Sequence, residues 1–128
     1  MTRRTFDFLV CVAALIFYLV NRLFLAVTID GPVGWFLTCY ANDIFAGAAI
    51  IAWLDLLLSL GHLGKICSWK QVAPFLLFCG LIWEVGAPLF KPNAVFDPWD
   101  FAAYQAGGLL WLSMIHLCPL VTNRKTPL

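Results

Sequence analysis

Charged residues are scarce in this chain of 128 residues, and their scarcity excludes most classes of protein. They make up 12% of the sequence, whereas hydrophobic residues make up 62%. A soluble domain of this length could not bury so much apolar surface, because small domains bury the smallest fraction of theirs. The formal net charge is only +1, so the sequence also lacks the basic surface that binds DNA or RNA. We therefore expect one polytopic membrane domain, residues 1–128, with the lipid bilayer and not nucleic acid as its partner.

Cysteine and histidine are too few and too irregularly spaced for a disulfide or metal framework. None of the five cysteines forms a CxxC pair, and neither histidine lies at ligand spacing from a cysteine. A cysteine within an apolar segment behaves as a small hydrophobic residue. The sequence therefore predicts no disulfide framework.

Four long hydrophobic segments are present, at residues 6–29, 44–62, 72–90 and 98–120. Each is close to the roughly 20 residues that a helix needs to cross a bilayer. The segments lack the alternating pattern of barrel strands, and helices are the other structure that satisfies its backbone in lipid. The sequence predicts an all-α fold, an integral membrane four-helix bundle in which the short connections place successive helices antiparallel.

Chain-breaking and helix-starting residues mark the predicted boundaries of these segments. Gly31-Pro32 interrupts the chain after the first segment. Before the fourth segment, Asp97 is the predicted N-cap, Pro98 the first helical residue and Asp100 an acid of the first turn.

Basic residues are concentrated on one side of the predicted membrane. Six of the eight would lie together if the chain crosses four times: Arg3, Arg4, Lys65, Lys70, Arg124 and Lys125. Cytoplasmic loops carry an excess of lysine and arginine. The pattern therefore predicts that both termini are cytoplasmic and that the first and third loops face outward.

A layer of polar residues falls near the predicted outer face. Arg22 lies roughly 10 Å below the outer end of the first helix, and Glu84 roughly 9 Å below that of the third. An isolated charge is costly in lipid. We therefore expect Arg22 to pair with Glu84 and to use Asp43 or Asp100 as a second acceptor, because a guanidinium group can bridge two carboxylates.

This outer layer is the predicted functional site, and it consists of Arg22, Asn42, Asp43, Glu84, Asp97, Asp100 and Tyr104. Its acids outnumber its single arginine, so the excess negative charge could bind a cation, a divalent metal ion included, or one acid could be protonated. The alternative is structural. In that case the aspartates cap helices, and the arginine locks the first helix to the third.

Asp55 is predicted to lie apart from this layer, about 17 Å below Ile44 in the inner half of the second helix. No basic partner is evident at that depth. Asp55 is therefore expected to be protonated or bonded to Ser113 or another hydroxyl, with a proton relay as the alternative. We expect it to contribute less to function than the outer acids.

Small residues on two helices predict a close helix contact. Gly107 and Gly108 in the fourth segment, and Gly47 in the second, leave room for a neighbouring backbone.

One stretch resembles a known family of small bacterial membrane proteins, the VanZ-like family. It runs Trp83-Glu84 and then Asp97-x-x-Asp100-x-x-x-Tyr104-x-x-Gly107. Tyr104 stands where the family usually has asparagine.

The closer likeness is to short four-helix members, sometimes labelled magnesium–citrate secondary transporters. It rests on Asn21-Arg22, Tyr40-Ala41-Asn42-Asp43, and Glu84 with Pro88. The resemblance implies a multi-pass protein of the bacterial cytoplasmic membrane and a role in the cell envelope.

The expected function is non-enzymatic, because the outer layer has no activated nucleophile, no histidine and no phosphate-binding loop. We expect an outward-facing acidic site that binds an envelope ligand, a lipid headgroup or a cation. A small cation- or proton-coupled secondary transporter, an accessory subunit and a membrane enzyme acting on a lipid-linked substrate are the alternatives. The expected protein partners are further copies of the chain or a larger membrane protein.

Overall fold

A computed structural model of the protein describes residues 1–92 and 97–118, and long helices dominate that part of the chain. There are four of them: α1 (Arg3–Thr28), α2 (Gly31–Leu60), α3 (Trp69–Phe90) and α4 (Pro98–Leu117). By length and composition, α1, α2 and α3 could each cross a membrane. The predicted end of the fourth segment at residue 120 and the predicted inner residues Arg124 and Lys125 lie outside the described residues.

The second helix begins at Gly31, well before the predicted start at residue 44. Gly31 has φ +80°, a conformation that glycine adopts without a Cβ clash, and this allows the chain to reverse within two residues. Pro32 then lies in the first turn, where its missing N–H leaves no hydrogen bond unmade. The stretch before Asp43 is thus helix and not an outer loop. The interpretation of Asp43 as a helix cap is wrong.

Each half of the α1–α2 hairpin contains one widened π turn, Asn21–Leu25 in α1 and Leu37–Ala41 in α2, and the two turns contact each other. Asn21 is fully buried between them. Its Nδ2 donates to the Leu37 carbonyl oxygen at 2.7 Å and to Asn42 Oδ1 at 3.0 Å. Polar groups thereby join α1 to α2 near the turn that connects them.

Helices α2 and α4 form the centre of the molecule, with α1 packed on α2 and α3 packed on α4. A methyl group on Gly107 would collide with the Ile44 carbonyl group and lie 2.8 Å from the Ala48 nitrogen, and one on Gly47 would collide with the Tyr104 backbone. The predicted close approach of these glycines is confirmed. By contrast, α2 and α3 touch little although they are consecutive, so a gap remains between them.

The apolar core lies in the inner half of the molecule, where Ile51, Val72, Leu76 and Trp111 are at most 1% exposed. The outward faces of the helices carry many exposed large apolar side chains. An apolar outer surface of this extent is typical of helices that face lipid.

The start of α1, the loop between α2 and α3, and the end of α4 meet at one end of the molecule. Arg3 donates to the Ile66 carbonyl oxygen, and Arg4 Nη2 donates to the Ser59 carbonyl oxygen at 2.7 Å. His116 Nε2 lies 3.1 Å from the Cys67 carbonyl oxygen. We call this end the inner end and the opposite one the outer end.

Candidate functional site

The tight α2–α4 contact brings carboxyl groups from different helices together at the outer end. The Asp43 carboxyl interacts with the side chains of Asp100 and Tyr104, because the first turns of α4 lie directly against α2 at this level. Glu84 of α3 is close enough for its charge to act on Asp43 and Tyr104. The structure thus brings together four of the predicted site residues, which we call the outer acidic cluster: Asp43, Glu84, Asp100 and Tyr104.

A cavity of about 290 Å³ opens beside this cluster, in the gap between α2 and α3. Asp43 and Tyr104 supply its polar wall and Trp83 an aromatic one. The remaining lining is apolar or small: Ala46, Ile50, Leu76, Cys79 and Gly80. The site therefore combines negative charge, aromatic surface and apolar surface.

Asp97 caps α4, as the sequence predicts. Its Oδ1 accepts a hydrogen bond from the Trp99 backbone nitrogen at 3.0 Å, and its Oδ2 accepts one from the Tyr40 hydroxyl at 2.9 Å. Both carboxyl oxygens are thus engaged within the protein. Asp97 thus fixes the start of α4 against α2, and its charge also acts on Glu84 and Asp100.

The predicted pair of Arg22 with Glu84 is not formed. Arg22 is exposed and makes no ion pair with any of the described residues. Its neighbour Asn21 points inward, and adjacent helical residues do not share a face, so Arg22 points away from the bundle. Asn42, also predicted to line the site, accepts the hydrogen bond from Asn21 instead.

Metal binding gains no geometric support at the outer end. Within residues 1–92 and 97–118, no group of three or more histidine, cysteine, aspartate or glutamate side chains could hold a metal ion. No disulfide bond joins cysteines of the described residues.

A second polar cluster, which sequence reasoning missed, lies at the inner end. Arg3 Nε donates to Asp55 Oδ2 at 2.7 Å, and Arg3 Nη2 donates to Asp55 Oδ1 at 3.0 Å. The expectation that Asp55 lacks a basic partner is therefore wrong. The reason is that α1 begins at Arg3, not at residue 6, so the antiparallel hairpin carries this guanidinium to the level of Asp55.

Asp7 completes this inner cluster, together with Trp111 of α4. Trp111 Nε1 donates to Asp7 Oδ1 at 2.9 Å, and both side chains are 0% exposed. The Arg3 guanidinium carbon lies 5.5 Å from the centroid of the Trp111 ring, in cation–π range. One feature of the sequence does indicate this arrangement: Arg3 and Asp7 are four residues apart and therefore lie on one helix face.

The fold and its two polar clusters define a class. Across residues 1–92 and 97–118 the protein is helical, three of its helices are long and apolar enough to cross a membrane, and carboxyl groups gather at both ends. No protein-family model, no curated protein and no solved structure matches the chain. The likeness to VanZ-like proteins thus stays a prediction from short motifs.

Proposed function

We propose that the protein is a non-enzymatic integral membrane protein whose outer acidic cluster binds a cationic group of an envelope ligand, in particular the amine of a lipid headgroup. One observation carries the proposal. Asp43 lines a cavity of about 290 Å³, and no basic side chain within the described residues forms an ion pair with its cluster. Negative charge without a protein counterion attracts a cation.

The lining of the cavity favours an organic cation over a bare metal ion. An amine or quaternary ammonium group can sit against the faces of Trp83 and Tyr104 while its charge meets Asp43. The apolar remainder of the wall suits carbon atoms attached to that group. A metal ion would need several convergent carboxylate oxygens, which the described residues do not provide.

The proposed orientation places all four helices across a bacterial cytoplasmic membrane with both termini inside. Its support is that Arg3, Arg4 and the loop carrying Lys65 share the inner end, as the positive-inside rule requires. The outer acidic cluster would then face the envelope.

Reporter fusions test this orientation. Alkaline phosphatase fused after residue 128 should be inactive, whereas the same reporter inserted within residues 94–96 should be active, because it works only outside the cytoplasm. Green fluorescent protein at the same positions should give the reverse pattern. Activity of the phosphatase after residue 128 would contradict the proposed orientation.

Removal of one acid should weaken headgroup binding without unfolding the protein. In Asp43→Asn and Asp100→Asn, binding of phosphatidylethanolamine should fall about tenfold or more, because a hydrogen bond to a charged group contributes about 1.5–3 kcal/mol. Native mass spectrometry of the purified protein with added phosphatidylethanolamine or phosphatidylglycerol measures the change.

Asp30→Asn is the matched control for these variants. Asp30 is an exposed aspartate at the outer end whose side chain makes no capping hydrogen bond, so its loss should leave binding unchanged. Equal binding by wild type and Asp43→Asn, or a preference for phosphatidylglycerol, would contradict the proposal.

Binding is favoured over transport by the packing between the two clusters. Ile51 and Ala52 of α2 lie between Asp43 and Asp55, are 0% exposed and belong to the apolar core. Apolar side chains of α2 thus separate Asp43 from Asp55, which supports binding at the outer end. The motif resemblance to VanZ-like proteins agrees with an envelope ligand and adds no chemistry of its own.

A further inference from the structure

The inner cluster contains two carboxyl groups and one guanidinium group in a dry environment. Asp7 and Asp55 are both 0% exposed, and Arg3 is the one cation among the described residues that forms an ion pair there. With both acids ionised, the cluster would carry one uncompensated negative charge. A buried charge without a partner is strongly destabilising.

Asp55 has the hydrogen bonds expected of the ionised partner. Its Oδ2 accepts from Arg3 Nε at 2.7 Å, and its Oδ1 accepts from Arg3 Nη2 at 3.0 Å and from the Ile66 backbone nitrogen at 2.7 Å. Three donors directed at one carboxyl group make Asp55 the acceptor in the ion pair with Arg3.

Only one of the two carboxyl oxygens of Asp7 accepts a hydrogen bond within the described residues. Its Oδ1 accepts the Trp111 hydrogen bond, but its buried Oδ2 has no donor among the described residues. The Asp7 carboxyl lies within interaction range of the Asp55 carboxyl. Two carboxylates in this position would repel each other, whereas a proton between them would make a hydrogen bond.

We propose that Asp7 Oδ2 is a proton-binding site that is occupied at neutral pH and donates a hydrogen bond to ionised Asp55. The occupied cluster is then neutral, with one cation, one anion and one carboxylic acid. The titratable groups that face Asp7 are Arg3 and Cys11 from its own helix and Asp55 from α2, while α4 contributes the non-titrating Trp111.

Proton exchange with the inner aqueous phase passes Arg3, whose side chain is 16% exposed while that of Asp55 is 0% exposed. When the proton leaves, Asp7 competes with Asp55 for the same guanidinium. The link between α1 and α2 then loosens, so the occupancy of this site controls how firmly the first helix is held.

Substitution of Asp7 by asparagine tests whether the Asp7 carboxyl is neutral or ionised. In Asp7→Asn the amide oxygen can still accept from Trp111, and the amide nitrogen can donate to Asp55 as the proposed proton does. We expect Asp7→Asn to fold with a melting temperature equal to or above that of wild type at pH 7. Asp7→Ala should melt lower, because it leaves Trp111 Nε1 without its acceptor.

If Asp7→Asn melts as low as Asp7→Ala, or fails to fold, Asp7 acts as an anion and the proposal is overturned. Infrared difference spectra of wild type minus Asp7→Asn at pH 7 give a second reading. They should contain the carbonyl stretch of a protonated carboxylic acid. Carboxylate bands in its place would overturn the proposal. Neither measurement involves a headgroup ligand, so both are independent of the function proposed for the outer acidic cluster.

Discussion

Asp55→Asn is expected to lower the free energy of unfolding by about 3–5 kcal/mol, the usual cost of removing one partner of a buried ion pair. The substitution removes the carboxylate that accepts both hydrogen bonds of the Arg3 guanidinium and takes a charged acceptor from the Ile66 backbone nitrogen. Denaturant or thermal unfolding of the purified protein, followed by circular dichroism, measures the loss.

Two further variants make this result specific to the ion pair. The double variant Arg3→Gln/Asp55→Asn should recover part of the stability, as coupled partners do. Ser113→Ala should have little effect, since the Ser113 hydroxyl donates to the Leu109 carbonyl oxygen of its own helix at 2.8 Å. If Ser113→Ala were as damaging as Asp55→Asn, the hydroxyl would be the true partner of Asp55.

Gly107→Ala should destabilise the protein by about 1–3 kcal/mol or more, the range for overpacking of a tight contact. The added methyl group meets the Ile44 carbonyl group and the Ala48 nitrogen, which are backbone atoms of α2 and cannot rotate away. The helices would have to separate, and the outer acidic cluster would separate with them. The free energy of unfolding and the binding of phosphatidylethanolamine should therefore both decrease.

Gly86→Ala is the matched control, because a methyl group there has no neighbour within 4 Å. This variant should be neutral or more stable by up to about 1 kcal/mol, since alanine favours helix over glycine. Equal effects at the two glycines would mean that helix propensity, not the α2–α4 contact, determines the result.

The hydrophobic segments could be predicted from the sequence because their length and apolarity are properties of the chain alone. The start of α2 could not, since it depends on a reversal within two residues at Gly31. Residues just before Asp43 are polar enough to resemble a loop. They are helical because they continue a helix that has already begun at Gly31.

Depth along the membrane was enough to group Asp43, Glu84 and Asp100, but it could not say which way a side chain points. Arg22 has the predicted depth and lies on the wrong face, because Asn21 occupies the inward position of a widened turn. Asp7 was missed for a related reason. Its partners Trp111 and Asp55 come from other helices, and only the assembled fold brings them together.

The two-residue turn before Gly31 also bears on how the chain would enter a membrane during synthesis. Polar links between the two helices of the hairpin lie within the first 60 residues, among them Arg3 with Asp55, Arg4 with Ser59 and Asn21 with Asn42. The first two helices can therefore insert together, with these links already formed, before the ribosome has made the rest. Asp7 meets its partner Trp111, and Asp43 meets its partner Asp100, only after α4 has been made. Synthesis of α4 is therefore the step that completes both clusters.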